Sequence, residues 1–160
     1  MQEVRPVDDY SLPVLQQLVG ESLRTVEALV FMPPRETIPS LDNLDQLRIT
    51  IGTESIRFRC SSNGEEIAID RDELTPCNLG EYGDMRQFDL THHPLFAALT
   101  TAWLRQVSQI ESHGCRYIIG YVFEFSEGSL VICNWGDELK VWPSIPQTLF
   151  ADEKIQITSA

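Results

Sequence analysis

Residues 133–142, with the sequence CNWGDELKVW, bring together the side chains of this chain that are best suited to chemistry. Asp137 and Glu138 are adjacent carboxylates, and a carboxylate pair can supply a general acid and a general base to one substrate. Neighbouring residues of a strand point to opposite faces, however. We therefore expect Asp137 and Glu138 to belong to a turn rather than to bracket a substrate.

A second Gly-acid-Glu motif supports the turn interpretation, because residues 64–66 read Gly-Glu-Glu. Glycine adopts positive φ in tight turns, and neighbouring carboxylates can accept hydrogen bonds from free backbone N–H groups. Trp135 and Trp142 are not explained by a turn, since Asn63 and Asp70 occupy the matching positions around the first motif. Two interpretations stay open for these tryptophans: they pack in the core, or they anchor a protein partner.

The other nucleophiles and potential metal ligands form no recognised catalytic pattern. The sequence has no GxSxG, no glycine-rich phosphate loop and no HExxH. A thiol–imidazole pair of Cys77 with His92 or His93 has no support in the spacing. The four cysteines lie too far apart in sequence for a metal knuckle and are expected to be buried free thiols, at Cys60, Cys77, Cys115 and Cys133. We predict that the protein is not an enzyme and has no metal or cofactor.

Charge is the most informative feature of the composition. There are 24 acidic residues against 12 basic ones, a formal net charge of −12. A charge of this sign repels nucleic acids and anionic membranes, and it accelerates encounter with a basic protein. Eight of the acids lie within residues 65–89, with two arginines. This stretch is either a solvated acidic loop or a contact surface for a basic partner.

The strands and helices that position these residues are predicted from a similarity between the two halves of the sequence. Residues 13–29 match residues 94–110 at an offset of 81, and the strand-like segments that follow match at an offset of 74. After a further length change, residues 64–69 match residues 136–141. We predict one domain, 1–160, in which repeat one covers about 11–70, repeat two about 92–142 and a C-terminal arm 143–160.

Each predicted repeat opens with a short helix and continues with antiparallel strands. Residues 22–31 and 103–111 fit either a strand or an extension of the helix, and the strand is favoured by Gly20 and the β-branched content. Residues 75–83 are predicted to be a connecting loop, and KIQIT near the C-terminus an edge strand. The predicted class is α+β: a tandem duplication of a helix-plus-antiparallel-strands unit that forms a compact β-rich domain with an internal pseudo-twofold.

The compartment is predicted from two missing signals. The N-terminal residues lack the basic start and long apolar run of a secretory signal, and no segment approaches the length of a membrane span. We therefore expect a cytoplasmic protein.

The pattern I-x-N-W-G-D-E-L-x-V at residues 132–141, together with the small size and acidity of the chain, resembles immunity proteins of bacterial polymorphic toxin, contact-dependent and type VI secretion systems. The resemblance implies an inhibitor that binds a cognate basic toxin domain and occludes its active cleft with carboxylates. The alternative is a small-ligand or regulatory module with a pocket between the repeats. No nucleic-acid or membrane partner is expected, and the oligomeric state is left open. The candidate partner-binding residues are Glu65, Glu66, Asp72, Glu73, Glu81, Asp84, Trp135, Asp137, Glu138 and Trp142.

Overall fold

The computed structural model describes residues 12–112, 117–147 and 156–159, and it shows a fold made mainly of antiparallel strands. Strands account for 52% of the described residues and helical turns for 12%. The α+β class and its repeated helix-plus-strands unit are therefore wrong. The physical reason is that both helices are single turns, α1 (Leu12–Gln16) and α2 (Pro94–Ala97), so that strands supply nearly all of the regular backbone pairing.

The first half of the chain forms a six-stranded antiparallel sheet, called sheet 1. Its strands are β1 (Leu23–Met32), β2 (Leu44–Ile51), β3 (Glu54–Cys60), β4 (Ile67–Asp70), β5 (Cys77–Asn78) and β6 (Asp84–Asp89). Their spatial order is β4-β3-β2-β1-β6-β5. The first four strands thus form a meander, and β6 pairs with the far side of β1. The loop predicted at 75–83 is interrupted by β5 and by a 3-10 turn (Gly80–Tyr82).

The second half forms a five-stranded antiparallel sheet, called sheet 2, in the order β10-β9-β8-β7-β11. Its strands are β7 (Leu104–Glu111), β8 (Ile118–Phe125), β9 (Gly128–Trp135), β10 (Glu138–Trp142) and β11 (Gln156–Ser159). The two segments that fitted either a helix or a strand are strands, β1 and β7. The edge strand predicted within KIQIT is β11, which pairs with β7.

The first strands of the two sheets share their irregularities. The register of β1 against β2 shifts between Leu23 and Thr25, and the register of β7 against β8 shifts between Leu104 and Gln106. Bulges of this kind bend a strand and increase its twist. The start of β7 joins the start of β1 through an isolated antiparallel bridge between Ser22 and Trp103. The repeat limits of about 11–70 and 92–142 stay a prediction.

The main core lies between the two sheets and is closed by the short helices. Phe58 of β3 meets Phe123 of β8 edge-to-face, with ring centroids 5.9 Å apart, and both rings are fully buried. Leu15 of α1 and Phe96 of α2 belong to the same core. Both helices are thus held by an apolar side chain, since a helix of one turn is not stable alone.

A second apolar cluster lies on the opposite face of sheet 2. Val131 is directly opposite Val122 and Trp142 in its neighbouring strands, whereas the adjacent Leu130 and Ile132 belong to the main core. Alternation along the strand therefore turns Val131 away from sheet 1. Trp135, Trp142 and Ile145 pack partly buried against this cluster. In the described ranges, no helix is long and apolar enough to cross a membrane.

Candidate functional site

The turn between β9 and β10 is a two-residue hairpin loop. Trp135 and Glu138 pair across it, and the two loop residues have positive φ, +63° at Gly136 and +64° at Asp137. Positive φ at both positions is the geometry of a type I′ turn, which glycine and aspartate favour. The predicted turn is confirmed. Asp137 is a loop residue, whereas Glu138 is the first residue of β10.

Asn134 fixes this hairpin against sheet 1. It is buried at 3% exposure, it accepts a hydrogen bond from the Asp137 N–H at 2.9 Å, and its Nδ2 donates to the carbonyl of Glu66 at 2.9 Å. The turn that contains Gly64 therefore lies beside the turn that contains Asp137. A Cβ placed on Gly64 would come within 3.4 Å of the Asp137 carboxyl carbon.

A cleft of about 420 Å³ opens between the start of β10 and the strands β2 and β3. Asp45 comes from β2 and Asp42 from the 3-10 turn before it (Leu41–Asn43), and two further carboxylates come from the hairpin of sheet 2, Asp137 and Glu138. The remaining lining residues are Leu44, Gln46, Arg59, Cys60, Ser61 and Leu139. We call this the acidic cleft.

The acidic cleft raises the pKa of two of its groups. Burial raises the pKa of Asp45, and this outweighs the lowering by a hydrogen bond with Gln46 and by the charge of Arg57. Burial also raises the pKa of the Cys60 thiol to about 11, with further increases from the charges of Asp137, Asp45 and Glu138. Both shifts report a region partly removed from water in which negative charge is concentrated.

The arginine that lines the acidic cleft is already engaged by another carboxylate. Arg59 Nε lies 3.5 Å from Asp70 Oδ2, a distance that makes an ion pair without hydrogen-bond geometry. Asp70 also binds Arg57 in a bidentate fashion, at 2.8 and 2.7 Å. Arg59 is thus paired with Asp70, and of the cleft carboxylates Glu138 pairs with Lys140 at 3.0 Å.

The cleft carboxylates are dispersed rather than convergent. Among the residues that the structure describes, no three side chains of His, Cys, Asp or Glu are grouped so that they could hold a metal ion. Hard cations need several oxygens within coordination distance of one point. Dispersed carboxylates suit several separate positive charges instead, such as those of basic side chains.

The structure divides the acidic stretch 65–89 between opposite edges of sheet 1. Glu65 and Glu66 lie in the turn beside the hairpin, and the exposed Asp72 pairs with Arg57 at 3.2 Å. Asp84, at the start of β6, pairs with Arg86 at 3.2 Å. The remaining candidates of this stretch, Glu73 and Glu81, are exposed in the β4–β5 connection and the 3-10 turn.

These acids fall into two groups on sheet 1. Four strand spacings separate β4 from β6 in sheet 1, which is about 19 Å. The candidates that the structure brings together are Glu65, Glu66, Asp137 and Glu138. Glu81 and Asp84 lie at the other side of the sheet, and Trp135 and Trp142 pack on the second apolar cluster.

Four residues of the site were not singled out as contact candidates from the sequence: Asp42, Asp45, Cys60 and Asn134. Asn134 had a signal, because it is a lone amide within an apolar strand, and a buried amide requires partners. Asp42 and Asp45 have no recognisable signal in the sequence, because their place in the cleft depends on a hairpin more than 90 residues later in the chain.

The thiol–imidazole pair considered from the sequence is not assembled. Cys77 pairs with Met85 in β5 and β6, whereas His92 follows the far end of β6, beyond Asp89. Four residues of strand between Met85 and Asp89 alone span about 13 Å. Cys77 is exposed and Cys133 is buried, so the expectation of buried thiols is wrong for Cys77. Cys115 lies outside the described residues.

Comparison of the chain with family models, with curated proteins and with solved structures gives no match. The site is therefore interpreted from its own geometry.

Proposed function

We propose that this protein is an immunity-type inhibitor that binds and neutralises a cognate basic toxin domain in the cytoplasm, using the acidic cleft to receive basic side chains of the toxin. The observation that carries the proposal is the set of four carboxylates around one cleft, Asp42 and Asp45 on one side and Asp137 and Glu138 of the β9–β10 hairpin on the other. Their dispersal fits a surface with several cations better than a single ion.

The physical basis is electrostatic complementarity. A net charge of −12 accelerates encounter with a basic partner. Inside the cleft, partial removal from water strengthens each ion pair that forms. A toxin that acts on nucleic acid or nucleotides carries basic residues where phosphates bind, and the cleft carboxylates would occupy the same residues.

The small-ligand alternative has weaker support. Ligand pockets are mostly apolar, with a few polar groups that orient the ligand. The acidic cleft is the larger of the described openings between the sheets, and most of its lining residues are polar or charged.

The test is affinity capture of the tagged protein from a lysate of its source organism at low and high salt. The cleft variant combines Asp42→Asn, Asp137→Asn and Glu138→Gln, which keeps the turn because asparagine accepts positive φ. We expect it to capture the basic partner at least about tenfold less efficiently than wild type, because charge pairs at a partly desolvated interface are lost.

The matched control removes the same charge from exposed acids elsewhere, with Glu36→Gln, Glu124→Gln and Glu127→Gln. It is expected to capture the partner within about twofold of wild type, since peripheral charges act mainly through steering. Equal loss in both variants would show that only net charge matters. The absence of a stoichiometric basic partner at either salt concentration would remove the proposal.

A further inference from the structure

Strand β10 has one side on which no described strand pairs with its backbone, although β10 also packs near β2 and the 3-10 turn at residues 41–43. It pairs with β9, and among the described residues no strand is hydrogen-bonded to its other side. An edge strand of this kind can template pairing with another chain. Natural edges are often protected by charge, but Lys140, the only cation of β10, is held by Glu138 at 3.0 Å.

The register of the hairpin defines which backbone groups face outward. The two-residue loop makes Trp135 and Glu138 a hydrogen-bonded pair, so Lys140 and Trp142 also direct their backbone groups towards β9. The N–H and C=O groups of Leu139 and Val141 point the other way. No hydrogen bond from the described residues reaches these groups.

The open side of β10 adjoins the acidic cleft. Leu139 is itself a lining residue, and Asp42 and Asp45 lie across the opening from it. Strand addition supplies affinity through main-chain hydrogen bonds and specificity through pockets for alternate side chains. A strand added to β10 would direct every second side chain over the cleft, where the carboxylates select basic residues.

We propose that the partner contributes an extended segment with alternating lysine or arginine residues, which adds to β10 as a further strand and bonds to the backbone of Leu139 and Val141. This inference rests on the proposed function for the identity of the partner, but not for the strand addition itself. It names the recognition mode: backbone pairing along the edge, with basic side chains in the acidic cleft.

The experiment uses the full chain and the synthetic peptide acetyl-KTKTKTK-amide as the probe. Amide hydrogen exchange is measured by NMR with and without the peptide. At saturation, the Leu139 and Val141 amides are expected to exchange at least about tenfold more slowly, because both acquire an acceptor. The control peptide acetyl-KTKPKTK-amide has the same charge, but its proline removes one donor and disrupts pairing, so it should protect neither amide.

A pair of variants separates backbone pairing from side-chain contact. Val141→Pro removes the outward N–H while leaving the bonds to β9 in place, and proline is accepted on edge strands. It is expected to weaken peptide binding about fivefold or more, the loss of roughly one hydrogen bond plus steric exclusion. Val141→Thr keeps the N–H and should bind within about twofold of wild type.

Two results would overturn strand addition: exchange at Leu139 and Val141 that the alternating peptide leaves unchanged, or equal binding of the peptide to both variants. Protection of the Lys140 amide reports whether Val141→Pro preserves the hairpin. If it does not, the wild-type exchange data decide alone. If the cleft variant loses capture of the basic partner but Val141→Pro retains it, the proposed function stands and strand addition is rejected. If the peptide protects the amides but no partner is captured, strand addition stands and the proposed function is rejected.

Discussion

At the scale of single residues, Asp45 is a half-buried carboxyl of the acidic cleft. Burial raises the pKa of this carboxyl, which means that the folded protein disfavours its charged form. The sign follows: above the raised pKa the charge destabilises the fold, and the penalty is relieved as the pH falls through that pKa. A group kept at such a cost is more readily explained by binding than by folding.

The substitution Asp45→Asn tests this interpretation at pH 7. We expect the melting temperature to rise by about 2 °C or more, because a half-buried charge is removed and the shape is kept. Binding of the basic peptide should weaken in the same variant. The control Asp42→Asn removes an equal charge from an exposed residue and should change the melting temperature less. A lower melting temperature for Asp45→Asn would show that the carboxylate is needed for the fold.

At the scale of elements, strands were predictable where one face meets the core. Residues 47–51 alternate between leucine or isoleucine and polar side chains, and β2 buries every apolar member of that pattern. β6 was not predicted, because its residues DMRQFD do not alternate and none is fully buried. The two described helices lie where the sequence predicts them, but they do not define the fold class. Each is about one turn long and is stabilised by contacts with strands.

Two of the four carboxylates of the acidic cleft were predictable from the sequence, for a related reason. Asp137 and Glu138 lie at a turn that Gly136 indicates in the sequence. Asp42 and Asp45, across the cleft, are brought to it only by long-range packing. The contact between the two turns depends on Asn134, whose side chain joins the hairpin to Glu66.

Asn134→Ala is expected to lower the free energy of unfolding by about 1–3 kcal/mol, because the buried carbonyl of Glu66 and the N–H of Asp137 lose their partner. Chemical denaturation followed by tryptophan fluorescence measures this loss. The exposed Asn63, which binds groups of its own turn, provides the control: Asn63→Ala should cost less than Asn134→Ala. Equal costs would mean that the two turns are not held together through Asn134.

At the scale of the whole molecule, two carboxyls of sheet 1 have opposite pKa shifts, Asp45 in β2 and Asp70 in β4. Burial raises the pKa of Asp70. Hydrogen bonds from Arg57 and from the Asp72 N–H, together with the charges of Arg57 and Arg59, lower it by a larger amount. The net pKa therefore lies below the ordinary 3.8. The stability that Asp70 contributes is present above its ordinary pKa and is lost as the pH falls through the lowered value. Asp45 acts in the opposite sense, as does the mutual repulsion of 24 acids against 12 bases, which weakens as carboxylates gain protons.

These opposing effects predict a stability maximum on the acid side of neutrality and above pH 3.8, the ordinary pKa of aspartate. Melting temperatures measured from pH 3 to pH 8 should rise as the pH is lowered from 7, pass through that maximum and then fall. In 0.5 M salt, the part of the rise that comes from surface repulsion should shrink, because salt screens exposed charges more than buried ones. The part that comes from Asp45 should persist in salt and disappear in Asp45→Asn. A melting temperature that falls steadily from pH 7 to pH 4 would contradict the burial of charge in the cleft, since relief of that charge is what raises stability on acidification.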